Sequence, residues 1–323
     1  MEQLKPYLET FWTTLNAQPA IAFFLNHSVL FLGLVACLAC LGVGGMLFAG
    51  RILARKRKRS SYDKCARQLA FIAIVVGWLL AILCKTVSVL KTGLWFPVDL
   101  RGIFHETCWF LLVITMLYVT IYAFLWKQFA GKTLLQSLFS GVCFVQGFVT
   151  CLLVFCDARL FFLVKDAQTF HDWLLVMPTV LLPPLVSEAF LCLALLVPLF
   201  FLLPAVIGNI GLLFVRNRID YGRDHYTIAI QWCSSVAVKW LTLACLLIAV
   251  HIGAVLVEQW YAQAYDLLAY ISCGILFALG IIALILYLCI AKSALPLRYK
   301  GTLVFADLLT IAFTCCTIYG WLN

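Results

Sequence analysis

The chain has 323 residues, 65% of them hydrophobic and only 11% charged, with a formal net charge of +9. Soluble domains carry about 25% charged residues, so this composition, with a mean hydropathy of +1.05, excludes a soluble enzyme, a disordered chain and a disulfide-stapled secreted domain. It fits a chain lying mostly inside a lipid bilayer, for which the useful unit of length is a helix of about 20 residues crossing roughly 30 Å of hydrocarbon.

In chain order, residues 1–19 show no cleavable leader pattern. Leu4, Leu8, Phe11, Trp12 and Leu15 share one helical face, which predicts an amphipathic helix on the outer surface. Eight apolar segments follow, at 20–50, 69–90, 107–126, 133–156, 179–215, 229–257, 267–291 and 302–321. Lipid offers no partner for unpaired backbone groups, so each is expected to be helical. Ten-residue alternating segments, the mark of a barrel, do not occur. The predicted fold class is all-α: a polytopic membrane protein with eight transmembrane helices.

The loop read after the first span carries Arg51, Arg55, Lys56, Arg57, Lys58, Arg59, Lys64 and Arg67. Loops on the same side hold Lys127 and Lys132, then Arg216, Arg218 and Arg223, then Lys292, Arg298 and Lys300, so 16 of the 23 basic residues share one side. The positive-inside rule makes that side cytoplasmic and places both termini outside. The RKRKR block then reads as a stop-transfer cluster meeting anionic lipid rather than as a nucleic-acid patch. Trp95, Trp109, Trp173, Trp260 and Trp321 fall near the outer boundary, as an aromatic belt.

Two junctions, SSYDKCARQLAFIAIVVGWL and VRNRIDYGRDHYTIAIQWCSSVAVKWL, share arginines, Tyr-plus-Asp chemistry and an apolar run ending near Trp. They suggest two four-helix halves, 20–157 and 179–323, with an outer loop at 158–178. Pro183 and Pro184 are expected to interrupt or kink the start of the fifth span, which also holds Pro198 and Pro204.

Ionisable groups inside a membrane are costly and therefore functional candidates. His27 lies in the outer part of the first span and His251 near the outer end of the sixth. His105 and Glu106 open the third span, Glu188 opens the fifth, His171 is in the outer loop, and His225 alone is cytoplasmic. Four of five histidines thus fall toward one face. Imidazoles at such depth suit a haem b with its propionates at an aqueous edge; the alternative for each is an amphipathic interfacial anchor. Glu106 and Glu188 could relay protons or ligate iron. Lys239 and Asp307 lie deeper and are expected to pair. Cys37 and Cys40 form a C-x-x-C within the first span, where cysteine acts as a small apolar residue. A Walker loop, H-E-x-x-H and C-x-x-C-H are absent from the sequence.

The stretch AIAFFLNHSVLFLGLVACL, followed by a basic loop and YDKCARQLAFIAIVVGWL, resembles the start of subunit I of cytochrome bd quinol oxidases. VSEAFLCLALLVPLFFLL, with DYGRDHYTIAIQWCSSVAVKW after it, is similar in general shape to that family's fifth and sixth spans. The resemblance implies two four-helix halves, haems toward the outer face and a ligand at His27. The chain departs from the family where a second-half histidine is expected, having Ser187 and Glu188, and its only methionines are Met1, Met46, Met116 and Met177. G-R-Q-P-W, the long quinol-binding loop between spans six and seven and a ninth span are also missing. The resemblance therefore implies a reduced relative.

The expectation is a multi-pass subunit of a respiratory complex in a bacterial inner membrane, part of a quinol-linked oxidoreductase. It would pass electrons between quinol and other membrane or outer-face redox subunits. Haem b would be held by His27 first, His251 next, then Glu188 or His105. The alternatives are a transporter or channel with a sparse polar site, and a scaffold subunit.

Overall fold

A computed structural model of the chain describes residues 27–93, 100–126, 128, 133–163, 187–216, 221–262 and 267–322. These residues form eight long helices: α1 (Ser28–Arg57), α2 (Ser61–Thr92), α3 (Leu100–Leu125), α4 (Thr133–Leu163), α5 (Glu188–Val215), α6 (Arg223–Ala262), α7 (Leu267–Lys292) and α8 (Lys300–Leu322). One 3₁₀ turn, Pro296–Tyr299, leads into α8, and no strand occurs among the described residues. All eight helices are long and apolar enough to cross a membrane. Residues 158–163 of the expected outer loop 158–178 continue α4 as helix; its remainder with His171 and Trp173, the segment 1–19, Trp95, and Pro183 and Pro184 lie outside the described residues.

The helices run further than the apolar segments do. The stretch 51–68, read as a loop, is helical apart from the three-residue turn Lys58–Ser60. Apolarity marks where hydrocarbon ends, whereas the backbone ladder continues into polar sequence. Arg55, Lys56 and Arg57 in the last turn of α1 complement the negative helix end. Lys58 then turns left-handed at φ 52°, and its N–H returns to the carbonyls of Ala54 and Arg55. Asp63 in the first turn of α2 suits the opposite dipole. At α5, Ser187 caps the helix by accepting the Phe190 N–H at 3.2 Å. The helix continues through Pro198 and Pro204.

Within the first four helices α1 packs on α2, α2 on α3, α3 on α4 and α4 back on α1. The last four close in the same order, α5 on α6, α6 on α7, α7 on α8 and α8 on α5. The two rings meet along α1 and α5, the most buried helices. Glycines permit that seam. A Cβ on Gly42 would collide with the carbonyl of Phe200 on α5, and one on Gly44 with that of Cys143 on α4. Gly147 of α4 approaches the Leu41 carbonyl equally closely. Such close backbone approach is how helices gain contact where lipid removes the hydrophobic drive. The outward face is apolar, with Val75, Ile82, Leu138 and Val250 all well exposed, as lipid contact requires.

Contacts between helix ends define the two faces of the bundle. Arg51 of late α1 meets Asp63 of early α2, Tyr122 of late α3 meets Gln136 of early α4, and Gln231 of early α6 meets the carbonyl of Ser293 just past α7. This is the basic end. At the opposite end Lys85 of late α2 meets Glu106 of early α3, and Phe31 of early α1 meets Tyr319 of late α8.

Candidate functional site

Lys85 lies 24 residues beyond Ser61, roughly 36 Å along α2 at 1.5 Å per residue. That exceeds the roughly 30 Å hydrocarbon thickness and places it at the far interface. Its ammonium donates to both carboxylate oxygens of Glu106 at 2.6 Å and sits 5.1 Å from the centroid of the Trp109 ring. The Trp109 indole N–H in turn donates to the Ala81 carbonyl at 2.9 Å. Lys85 is buried and Glu106 nearly so, so each neutralises a charge the other could not leave unpaired. Beside them, His105 Nδ1 lies 2.7 Å from Asp157 Oδ2, tying α3 to α4. In the tautomer whose Nδ1–H donates to that carboxylate, Nε2 of the half-exposed ring keeps its lone pair.

At the basic end, Arg51 Nη1 lies 3.2 Å from Asp63 Oδ2 across the α1–α2 turn. Arg67 stacks over Trp126 and Phe71, 5.0 and 5.3 Å from their centroids. Between the rings Gln68 accepts from or donates to both neighbours on α6, with Oε1 3.0 Å from His225 Nε2 and Nε2 3.3 Å from the Tyr226 hydroxyl. Deeper in the second ring, Tyr287 of α7 donates its hydroxyl to Asp307 Oδ1 at 2.6 Å. Asn209 Nδ2 of α5 donates to the same oxygen at 3.3 Å, and Thr310 Oγ1 lies 3.3 Å from the Tyr287 hydroxyl and 2.9 Å from the Ala306 carbonyl, its one proton serving either acceptor. All four side chains are fully buried.

The sequence-predicted residues fall as follows. His27 stands at the start of α1, half-buried, its carbonyl accepting the Phe31 N–H at 3.0 Å. His251 is buried on α6. They are not brought face to face by direct helix packing: α2 and α5 stand between α1 and α6. Glu188 is the first residue of α5, and the described geometry does not extend to its side chain. His105 and Glu106 share one cluster, with Lys85 and Asp157 as partners that sequence reasoning missed. The available signal was opposite charge at one junction between spans. The expected Lys239–Asp307 pair does not form. Lys239 is exposed on α6, while Asp307 is enclosed by Tyr287 and Asn209; hydroxyl and amide donors meet the carboxylate in place of an ammonium. Among the described residues no three His, Cys, Asp or Glu side chains converge as a metal-binding group. Cys37 and Cys40 are buried within α1 as free thiols.

Comparison with family models, curated proteins and solved structures found no match to this chain.

Proposed function

We propose that the chain is a membrane subunit of a bacterial respiratory electron-transfer complex, similar to the haem-bearing subunit of bd quinol oxidases, with one haem b near the face opposite the basic end. The observation that carries the reading is the Asp157–His105 pair: an imidazole held by a carboxylate through one ring nitrogen, which is the arrangement metal-ligating histidines use. The fit to haem is that of a single imidazole from α3, with His27 at the same end of the bundle. His251, the second candidate by sequence, ranks below His105 here because its helix does not pack on α1.

A haem bound there would supply one-electron exchange with quinol. The chain's part would be to orient the ring of His105 through Asp157 and to hold Lys85 and Glu106 as a neutralised pair beside it. Positive-inside asymmetry orients the subunit in a bacterial inner membrane with both termini outside. Partner subunits are supported by Lys239, which is exposed about 24 Å along α6 from Arg223. An ammonium facing outward at that depth is best served by an acidic group on a neighbouring membrane chain.

Reduced-minus-oxidised spectra of the detergent-purified protein test this. The expected result is a b-type spectrum that is lost or shifted in His105→Ala. Asp157→Asn should raise the midpoint potential, because the weaker hydrogen bond lowers the basicity of the imidazole and disfavours ferric iron. Identical spectra in the parent and both variants would remove His105 from the site. A second reading, a proton-coupled transporter or channel, draws on the buried Asp307–Asn209–Tyr287 group. Proton-dependent flux in proteoliposomes, lost in Asp307→Ala, would put it first.

A further inference from the structure

Asp307 sits seven residues into α8, about 10 Å along the helix from Lys300. It is fully buried, and no ion pair reaches it: the salt bridges among the described residues are Arg51–Asp63, Lys85–Glu106 and His105–Asp157. The groups turned toward it are neutral, Tyr287 from α7 and Asn209 from α5, with Thr310 on its own helix. On α6, packed against α5 and α7, Cys233 lies near Tyr287 with Ser234 next to it in the chain, His225 and Tyr226 are closer to the basic surface, and His251 is buried toward the opposite end. The charged groups of α1, which also packs on α8, are Arg51, Arg55, Lys56 and Arg57 in its last turns, with Arg51 engaged to Asp63. Those of α4 are Asp157 and Arg159 at the opposite end.

Two atoms in this group lack a partner. Tyr287 and Asn209 both donate to Asp307 Oδ1, leaving Asp307 Oδ2 buried and unmatched. Asn209 Oδ1 is also buried and unmatched. Both are acceptors, so what the site lacks is a donor and a positive charge. One proton supplies both.

We propose that Asp307 and Asn209 form a proton-binding site, in which Asp307 carries a proton on Oδ2 and donates it to Asn209 Oδ1. The amide already donates to Oδ1 of the acid, so the second bond closes a two-bond ring between carboxylic acid and carboxamide and satisfies both unmatched oxygens. A neutral acid avoids the cost of a bare carboxylate in the bundle interior. Tyr287 holds the acid by its other oxygen. The site is independent of haem: it lies near the basic end, whereas His105 lies at the other. It places an exchangeable proton inside the second ring.

Infrared spectroscopy of the protein labelled with 4-¹³C aspartate tests the proposal. At neutral pH a protonated aspartic C=O band is expected that shifts in D₂O and disappears in Asp307→Asn. Replacing potassium by sodium in the buffer should leave the band unchanged. Thermal unfolding supplies a second readout: Asp307→Asn keeps a donor beside Asn209 Oδ1 and should melt at the parent temperature, whereas Asp307→Leu should melt lower. An aspartic band confined to the carboxylate region and lost in Asp307→Asn would overturn the assignment. So would an acid band abolished by sodium, which would make the site one for a metal cation.

Discussion

Lys85 and Glu106 each carry a charge that neither could hold alone in its position, since both side chains are largely shielded and the Trp109 ring covers the ammonium. Removing one partner of such a pair costs about 3 kcal/mol, mostly the penalty of the charge left behind, while replacing both by apolar groups is close to neutral. Glu106→Gln should therefore lower the thermal midpoint in detergent sharply, and Lys85→Met combined with Glu106→Leu should restore most of it; tryptophan fluorescence on heating measures both. Equal loss in the single and double variants would show that the pair does not act as a unit. At this scale the sequence was partly legible. Glu106 and His105 stood out as ionisable residues at a span boundary, but Lys85 and Asp157, 21 and 52 residues away from the groups they bind, could not be matched to them without knowing which helices adjoin. Asp307 drew notice for its charge, and the lysine expected as its partner proved to be on the outward side of α6. Hydropathy gives depth along a helix but not the face on which a side chain emerges, and a carboxylate met by Tyr and Asn carries no charge complement to search for.

Among the elements, α1 shows most clearly how composition becomes packing. Its glycines sit where the backbones of α4 and α5 come closest, so that Gly42 has no room for a methyl group, whereas Gly33 on the same helix has open space. Gly42→Ala should destabilise the bundle by about 1–3 kcal/mol through overpacking, and Gly33→Ala should be neutral or mildly stabilising, since alanine favours the helix by up to about 1 kcal/mol. Thermal unfolding of the two variants side by side checks the contrast, and equal behaviour would mean that the α1–α5 seam is looser than its geometry requires. The existence of all eight helices was readable from apolar length alone. Their ends were not, because the basic run after α1 and the polar start of α2 extend the backbone ladder beyond the hydrocarbon.

For the whole molecule, charge asymmetry was the most informative property of the chain. It sorted loops to two sides, and side-chain contacts independently gather the same helix ends: Arg51 with Asp63, Tyr122 with Gln136 and Gln231 with Ser293 at the basic end. The closure of each ring by α4 on α1 and by α8 on α5 was beyond sequence reasoning, since short turns predict only that neighbours in the chain pack together. With that closure known, His105 is seen to be backed by Asp157, while His27 stands at the same end of the bundle. The most direct measurement of the proposed function is the haem content of the purified chain, by pyridine haemochrome assay against protein concentration. The redox-subunit account predicts a Soret band and about one haem b per chain; protein that is folded and fully helical by circular dichroism, yet shows no Soret absorption after expression with ample haem supply, would contradict it.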